Sequence, residues 1–436
     1  MIKKPEYRRR RRELMRMMGE EAIAILPSAG LKQRNGDVEY RFRQDSDFWY
    51  LSGFLEPDSV LVLVPGREHG EALLFCRERD PERERWDGAF LGPEAAVEAL
   101  GIDDAFPIDD IDDILPGLIE GRRRIFFSMG RDEHLDHQVV QWMNELARAA
   151  PGSGRRAPRE IVTLDGFIHE LRLIKSAAEL RLIRQSCEIA SQAHRAVMQA
   201  ASPGMAEYEL EALFAYQCRR QDATLSYVPI VAGGDRGCVL HYTQNQARLA
   251  DGELLLIDAG AEVAGYASDI TRTWPVNGRF SAAQQAVYEV VLAAQNAAID
   301  TVRPGADWMA PHQAAVRVIS QGLHDLGLLK GSLEQTLEQK RYQRYFMHKT
   351  GHWLGLDVHD VGDYRIDGLW RVLEAGMVLT IEPGIYIPRD DHQAPAELRG
   401  TAVRIEDDVA VTAEGCELLS TGLPRTIEEI EQCLNA

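Results

Sequence analysis

Residues 254–273 read LLLIDAGAEVAGYASDITRT, two strand-like runs on either side of a small-residue turn, and the pattern predicts a β-hairpin. Asp258 and Asp269 are equidistant from its midpoint, between Val263 and Ala264, so their carboxylates are expected opposite or nearly opposite one another on adjacent strands. Like charges facing each other on a sheet repel by on the order of 1 kcal/mol. A cation lodged between them removes that cost. Two exposed acids on a solvent face satisfy the same spacing, so this segment alone leaves both readings open.

Three further segments carry related residues. Residues 347–360 (MHKTGHWLGLDVHD) hold His348, His352 and His359, three of the chain's 12 histidines, and histidine is both the commonest metal ligand and the usual proton carrier near neutral pH. His348 and His352 have the i,i+4 spacing of a helical zinc motif. Lys349 stands where that motif needs a glutamate, however, and Gly351 and Gly355 disfavour a continuous helix, so a turn or strand is expected. Residues 377–388 (MVLTIEPGIYIP) deliver Glu382 at the end of an apolar strand that Pro383 and Gly384 terminate, where an unpaired acid is expensive. Residues 403–406 alternate so that Arg404 and Glu406 share a strand face, which suits a surface ion-pair ladder as well as a site.

Assembled, Asp258, Asp269, His352, Glu382 and Glu406 make four carboxylates and one imidazole. That oxygen-rich set suits two hard to borderline divalent ions, Mn²⁺ or Co²⁺ before a tetrahedral structural zinc. A hydroxide bridging the two ions would be a nucleophile available at neutral pH. Cys238 and His241 form an isolated C-x-x-H, which lacks the two further ligands that zinc requires.

The rest of the chain bounds the setting. At roughly 150 residues per domain, 436 residues predict two or three domains. A composition shift at 149–158 (AAPGSGRRAP) reads as a joint. Before it, strands at 22–26, 59–64, 72–76 and 124–128 alternate with helical patterns such as 138–150, an α/β unit. After it, helices at 176–201, 205–221, 281–303 and 308–327 and hairpin-linked strands predict an α+β domain. Ser176 followed by Glu179 is a capping-box signature. The net charge of −19 repels phosphate backbones and argues against nucleic acid as a partner. No apolar run approaches the ~18 residues that span a bilayer. The basic stretch Arg8–Arg12 is followed by no apolar core of a signal peptide, and six scattered cysteines read as buried thiols of a reducing, cytoplasmic compartment.

With these residues in place, the sequence resembles the pita-bread metallopeptidases, and within them the bacterial Xaa-Pro aminopeptidases (aminopeptidase P). The resemblance covers nearly the whole chain and rests on residues 40–50 (YRFRQDSDFWY), 172–176 (RLIKS), 241–243 (HYT), 257–273, 351–362, 381–386 and 399–408. It implies a creatinase-type α/β N-terminal domain at 1–172 and a pita-bread catalytic domain at 173–436. By resemblance Asp269 and Glu406 bridge two metals, Asp258 binds one of them, and His352 and Glu382 complete the other. Glu382 is further implied as proton shuttle, His359 as oxyanion partner, and His241 and His348 as lining of the proline side, with Arg404 and Tyr386 orienting the site. Asp37 and Trp86 are implied at a cleft shared with a neighbouring protomer of a homotetramer, a dimer being the alternative. Residues 364–371 (YRIDGLWR) are one residue longer than the family's pattern, and either Arg365 or Arg371 fills the place of a substrate-gating arginine. The implied activity is hydrolysis of the N-terminal Xaa-Pro bond of peptides, with two divalent ions, manganese first and cobalt or zinc as alternatives. Xaa-Pro dipeptidase and a non-catalytic pita-bread binding module are the competing readings.

Overall fold

A computed structural model describes residues 2–148 and 156–435. The chain divides into two compact units, Met1–Arg172 and Leu173–Ala436. The first is built on a six-stranded mixed sheet in the order Asp104–Pro107, Ala72–Cys76, Val60–Leu63, Ala22–Pro27, Arg124–Phe126, Glu160–Val162. Val60–Leu63 (VLVL) and Ala72–Cys76 (ALLFC) are buried along their full length. Such unbroken apolar runs are what a sheet covered on both faces requires. Helix Glu133–Ala147, capped by Asp132, packs Val139, Trp142 and Leu146 into the core formed by Ile23, Ile25, Val62 and Phe75.

Two arginines of the basic run near the N-terminus are buried inside this unit. Arg10 donates to the Tyr50 carbonyl at 3.0 Å, and Arg11 donates to those of Leu51 and Gly101 at 2.9 and 2.7 Å. Those carbonyls sit at the ends of helices Ser46–Ser52 and Gly92–Leu100, where cations satisfy otherwise unpaired acceptors.

The composition shift at 149–158 is not where the units part. Residues 149–155 lie outside the described residues. Beyond them, Glu160–Val162 pairs in parallel with Arg124–Phe126 and completes the sheet. A Pro- and Gly-rich crossover inside a unit has the same composition as a joint between units, and only the strand that follows tells them apart.

Asp47 anchors the end of this unit. It is 3% exposed and accepts from Arg172 Nη1 at 2.7 Å and Arg131 Nη1 at 2.8 Å, with His169 Nε2 at 3.5 Å. Burial alone would raise its carboxyl, but His169, Arg172 and Arg131 together hold it well below the usual range. Asp47→Asn is expected to destabilise the protein by about 3–5 kcal/mol at pH 7, because the buried Arg172 guanidinium loses this carboxylate. A depressed carboxyl contributes fully above its unfolded value of about 3.9 and loses that contribution as pH falls below it. Urea unfolding should therefore show the difference between wild type and variant narrowing by roughly 1 kcal/mol from pH 5 to pH 3.

In the second unit every described strand pairing is antiparallel. Ser176 and Glu179 form the expected capping box of helix Ala177–Ala200, and Ser281 with Gln284 begins Ala282–Ile299 in the same way. Helices and strands share one large core that includes Trp274, Tyr288, Ile319, Phe346, Trp353 and Ile405.

The hairpin at 254–273 differs from its expected form. Leu254–Asp258 pairs with Thr271–Pro275 in a register that sets Asp258 opposite Thr271, so Asp269 precedes the partner strand by two residues. The residues between make a second small hairpin, Ala261–Val263 with Tyr266–Ala267, which pairs with Thr224–Leu225. Symmetry about a midpoint cannot anticipate a turn that becomes a sheet of its own. Residues 403–406, expected on one strand, are interrupted: the strand breaks at Ile405 and Glu406, between Thr401–Arg404 and Asp407–Val411.

Candidate metal centre

Four backbone segments meet at one place in the second unit. Asp258 ends strand Leu254–Asp258, and Glu406 occupies the strand break, its N–H donating to the Thr271 carbonyl at 3.0 Å. Glu382 directly follows Val378–Ile381. His352 lies beside that strand: Thr380 N–H donates to the His352 carbonyl at 3.0 Å, and Glu382 N–H to that of Thr350 at 2.8 Å. The two backbones approach so closely that a Cβ on Gly351 would lie 2.0 Å from the Thr380 carbonyl oxygen. The segment around His352 is not helical, as its glycines suggested: Trp353 bridges to Leu379 and residues 355–359 bend away.

Within this meeting point, donor atoms of Asp258, Asp269 and Glu406 lie within 4.8 Å of one another, as do those of His352, Glu382 and Glu406. A third such group joins Asp269, His352 and His359. His352 Nε2 is 3.3 Å from Asp269 Oδ2 and 3.8 Å from Glu382 Oε1. Arg404 reaches the same cluster, with Nη2 donating to Asp258 Oδ2 at 2.7 Å. One guanidinium and one imidazole do not balance four carboxylates at this depth.

The proton affinities record that imbalance. Burial, with the charges of Asp269, Glu382 and Asp258, pushes Glu406 well above the carboxylate range. Burial likewise drives Glu382 up to about 7, against the opposing charges of His352 and Arg404. Burial would lower His352, but its hydrogen bond to Asp269 and the charges of Glu382 and Asp269 hold it up at about 9. Asp258 is raised by burial and by Asp269, while Asp269 is lowered because His352 outweighs its burial. Such a donor set fits divalent cations, which supply the missing positive charge and take carboxylate oxygens and an imidazole as ligands.

Around the donors stand side chains that the sequence did not single out. The Tyr227 hydroxyl contacts Asp258 Oδ1 at 2.5 Å and also Asp269 Oδ1. Thr271 Oγ1 donates to Glu406 Oε2 at 2.6 Å and accepts from Arg404 Nε at 3.2 Å. Thr380 Oγ1 accepts from His352 N–H at 3.1 Å and reaches Glu382 Oε1 at 3.3 Å. Asp408 Oδ2 accepts the Asp269 N–H at 3.0 Å. Period-two spacing was the available signal for Thr271 and Thr380, since each lies two residues from an acid just beyond the end of its strand. Tyr227 had none.

The other expected residues fall in two places. His348 Nε2 is 2.8 Å from the Tyr386 hydroxyl, which accepts from Arg404 Nη1 at 3.0 Å, and His348 Nδ1 is 3.7 Å from Glu382. Burial keeps His348 neutral, down at about 3. The His359 ring is 4.2 Å from that of His352, and exposed His241 is near enough for its charge to lower both His348 and His359. Asp37 and Trp86 lie in the N-terminal unit, both exposed, Asp37 at the tip of a hairpin of Gln33–Asn35 and Val38–Glu39. Arg365 is exposed and stacks 3.8 Å from the Trp370 ring, whereas Arg371 is 6% exposed and donates to the Asp363 carbonyl. Cys238 belongs to none of the metal-type groups among the described residues. All six cysteines are free thiols; Cys238 and Cys416 are only partly buried, not buried as expected.

Comparison with known proteins agrees in both units. Residues 181–413 match metallopeptidase family M24, and residues 7–126 match the aminopeptidase P N-terminal domain. The Xaa-Pro aminopeptidase of Escherichia coli (strain K12) is 41% identical over 437 residues, covering 100% of this chain and 98% of the relative. That of Haemophilus influenzae is 41% identical over 435 residues, with the same coverage. Among solved structures, Pseudomonas aeruginosa aminopeptidase PepP superposes with a TM-score of 0.98 at 51% identity, covering 100% of this chain and 98% of that one. Proline aminopeptidase P II from Yersinia pestis gives 0.96 at 42% identity, with both chains covered completely.

Proposed function

Because the chain belongs to metallopeptidase family M24, an aminopeptidase P N-terminal domain preceding a pita-bread domain, we propose that it removes the N-terminal residue from peptides whose second residue is proline. The observation that carries this reading is the convergence of Asp258, Asp269, His352, Glu382 and Glu406 in a chain 41% identical, end to end, to named Xaa-Pro aminopeptidases. An Xaa-Pro bond lacks an N–H and has a fixed φ, so it calls for a cleft of its own.

Two divalent ions would be held by the five donors, whose groups overlap at Asp269, His352 and Glu406. When bound, the ions supply Lewis acidity and lower the pKa of a water so that it attacks near neutral pH. Glu382 takes the proton of that water and returns it to the proline nitrogen, which cannot leave as an anion. His359 donates to the carbonyl oxygen as it gains charge. His241 and His348 line the proline side, and Arg404 and Tyr386 fix Asp258 and His348 through the hydrogen bonds described above. Of the two candidate arginines, Arg365 presents its guanidinium at the surface and is the one assigned to the substrate.

Manganese suits the oxygen-rich set best, with cobalt or zinc as alternatives. The proposed assembly is a homotetramer in which Asp37 and Trp86 reach a neighbour's cleft. It is supported by a hairpin whose residues 30–41 are all exposed, Val38 and Tyr40 at 50% and 58%. A cytoplasmic location is supported by the free thiols; no helix among the described residues is long and apolar enough to cross a membrane. The test compares Xaa-Pro dipeptides with Xaa-Pro-Yaa-Zaa peptides on manganese-loaded protein. Cleavage of the longer peptides is expected. Turnover confined to dipeptides would reject the aminopeptidase in favour of a dipeptidase.

A further inference from the structure

Lys175, in the RLIKS motif that opens the second unit, takes no part in the cluster above. Its side chain and that of Asp360 are each 1% exposed, and its Nζ donates to Asp360 Oδ2 at 2.8 Å. Burying both charges costs several kcal/mol per ion, roughly what their attraction returns, so the pair adds little net stability. What it supplies is a fixed direction, and that direction falls on one loop.

Asp360 N–H donates to the Trp353 carbonyl at 2.9 Å, Gly355 N–H to that of Asp357 at 3.0 Å, and Asp357 N–H to Asp360 Oδ1 at 3.4 Å. Residues 353–360 therefore close around the Asp360 carboxylate. A Cβ on Gly355 would stand 2.1 Å from Asp360 Oδ2 and 2.9 Å from Lys175 Cε, so no side chain fits between loop and ion pair. The Trp353 carbonyl that receives the Asp360 N–H also lies 2.9 Å from His352 Nδ1. Lys175 is fixed in turn, its N–H donating to Gly376 and its Nζ reaching the Leu173 carbonyl at 3.3 Å. His359 is the residue before Asp360, and its ring is held 4.2 Å from that of His352.

We propose that the buried Lys175–Asp360 pair is a positioning device for His359. It holds the loop so that the imidazole stands where the carbonyl oxygen of the substrate gains charge. Neither member touches substrate. The inference rests on the activity proposed above, and its effect is read at His359.

A double-mutant cycle tests it. Lys175→Met combined with Asp360→Leu replaces the pair with apolar side chains of similar volume, a change that buried pairs tolerate without losing stability. On an Xaa-Pro-Yaa peptide the variant should lose about 10²-fold in kcat, the cost of misplacing or removing one oxyanion donor. KM and manganese content should not change. In a His359→Ala background the same substitutions should cause no further loss. A kcat near wild type, or losses that multiply, overturns the proposal. If the double variant does not fold, Asp360→Asn is read in the same cycle with the same two outcomes. A crystal structure of the variant gives a readout independent of turnover: His359 displaced by about 1 Å or more supports the proposal, and an unmoved ring rejects it. Wild-type protein that cleaves no Xaa-Pro peptide would refute the activity instead, and the ring position would still decide the positioning role.

Discussion

Glu382→Gln is expected to lower kcat by about 10³-fold or more while leaving the fold intact. Loss of a general acid–base contributes about 10²–10⁴ by itself, and here the same side chain is proposed to hold a cation as well. Glutamine keeps the volume and one acceptor oxygen, so Glu382 N–H can still donate to Thr350 and Thr380 Oγ1 still has a partner. What is lost is the site that accepts the water's proton and returns it to the proline nitrogen. Steady-state kinetics on an Xaa-Pro-Yaa peptide, with circular dichroism to check folding, give the answer. Turnover within tenfold of wild type would remove Glu382 from the proton path.

Removing divalent ions should have an effect as large, and on two properties at once. The cluster sets Asp258, Asp269, Glu382 and Glu406 against Arg404 and His352, with His359 beside Asp269. Without cations these buried carboxylates repel, and Glu406 and Glu382 are pushed toward the protonated form. Chelated protein should lose turnover by about 10³-fold or more, since the source of a neutral-pH nucleophile is gone. It should also unfold at a lower temperature, because ions that bind only the folded state stabilise it by about 4 kcal/mol at 1,000 times their Kd. Added Mn²⁺ should restore both. Activity that survives exhaustive chelation would contradict the assignment.

Much of the site was legible because acids at the ends of apolar strands are anomalous in any sequence. Asp258 and Glu382 follow LLLI and VLTI, runs that only a core can use, and that conflict marks them without reference to a fold. The closeness of Asp258 and Asp269 was legible, but the register that produces it was not. Their symmetric spacing suggested opposition across a simple hairpin, while the ladder pairs Asp258 with Thr271 because the intervening turn joins another sheet. Tyr227 was invisible for a different reason: a tyrosine before a strand carries no local signature of its two aspartate partners. The Lys175–Asp360 pair spans 185 positions, and nothing in either motif announces the other. The composition shift at 149–158 was misread as a joint because Pro and Gly mark crossovers as readily as joints, and Glu160–Val162 is too short to outweigh them by pattern.

The most direct measurement is anomalous diffraction from crystals grown with manganese. Two ions per chain are predicted among Asp258, Asp269, His352, Glu382 and Glu406. An empty cleft with these acids turned toward solvent would contradict the account at its root.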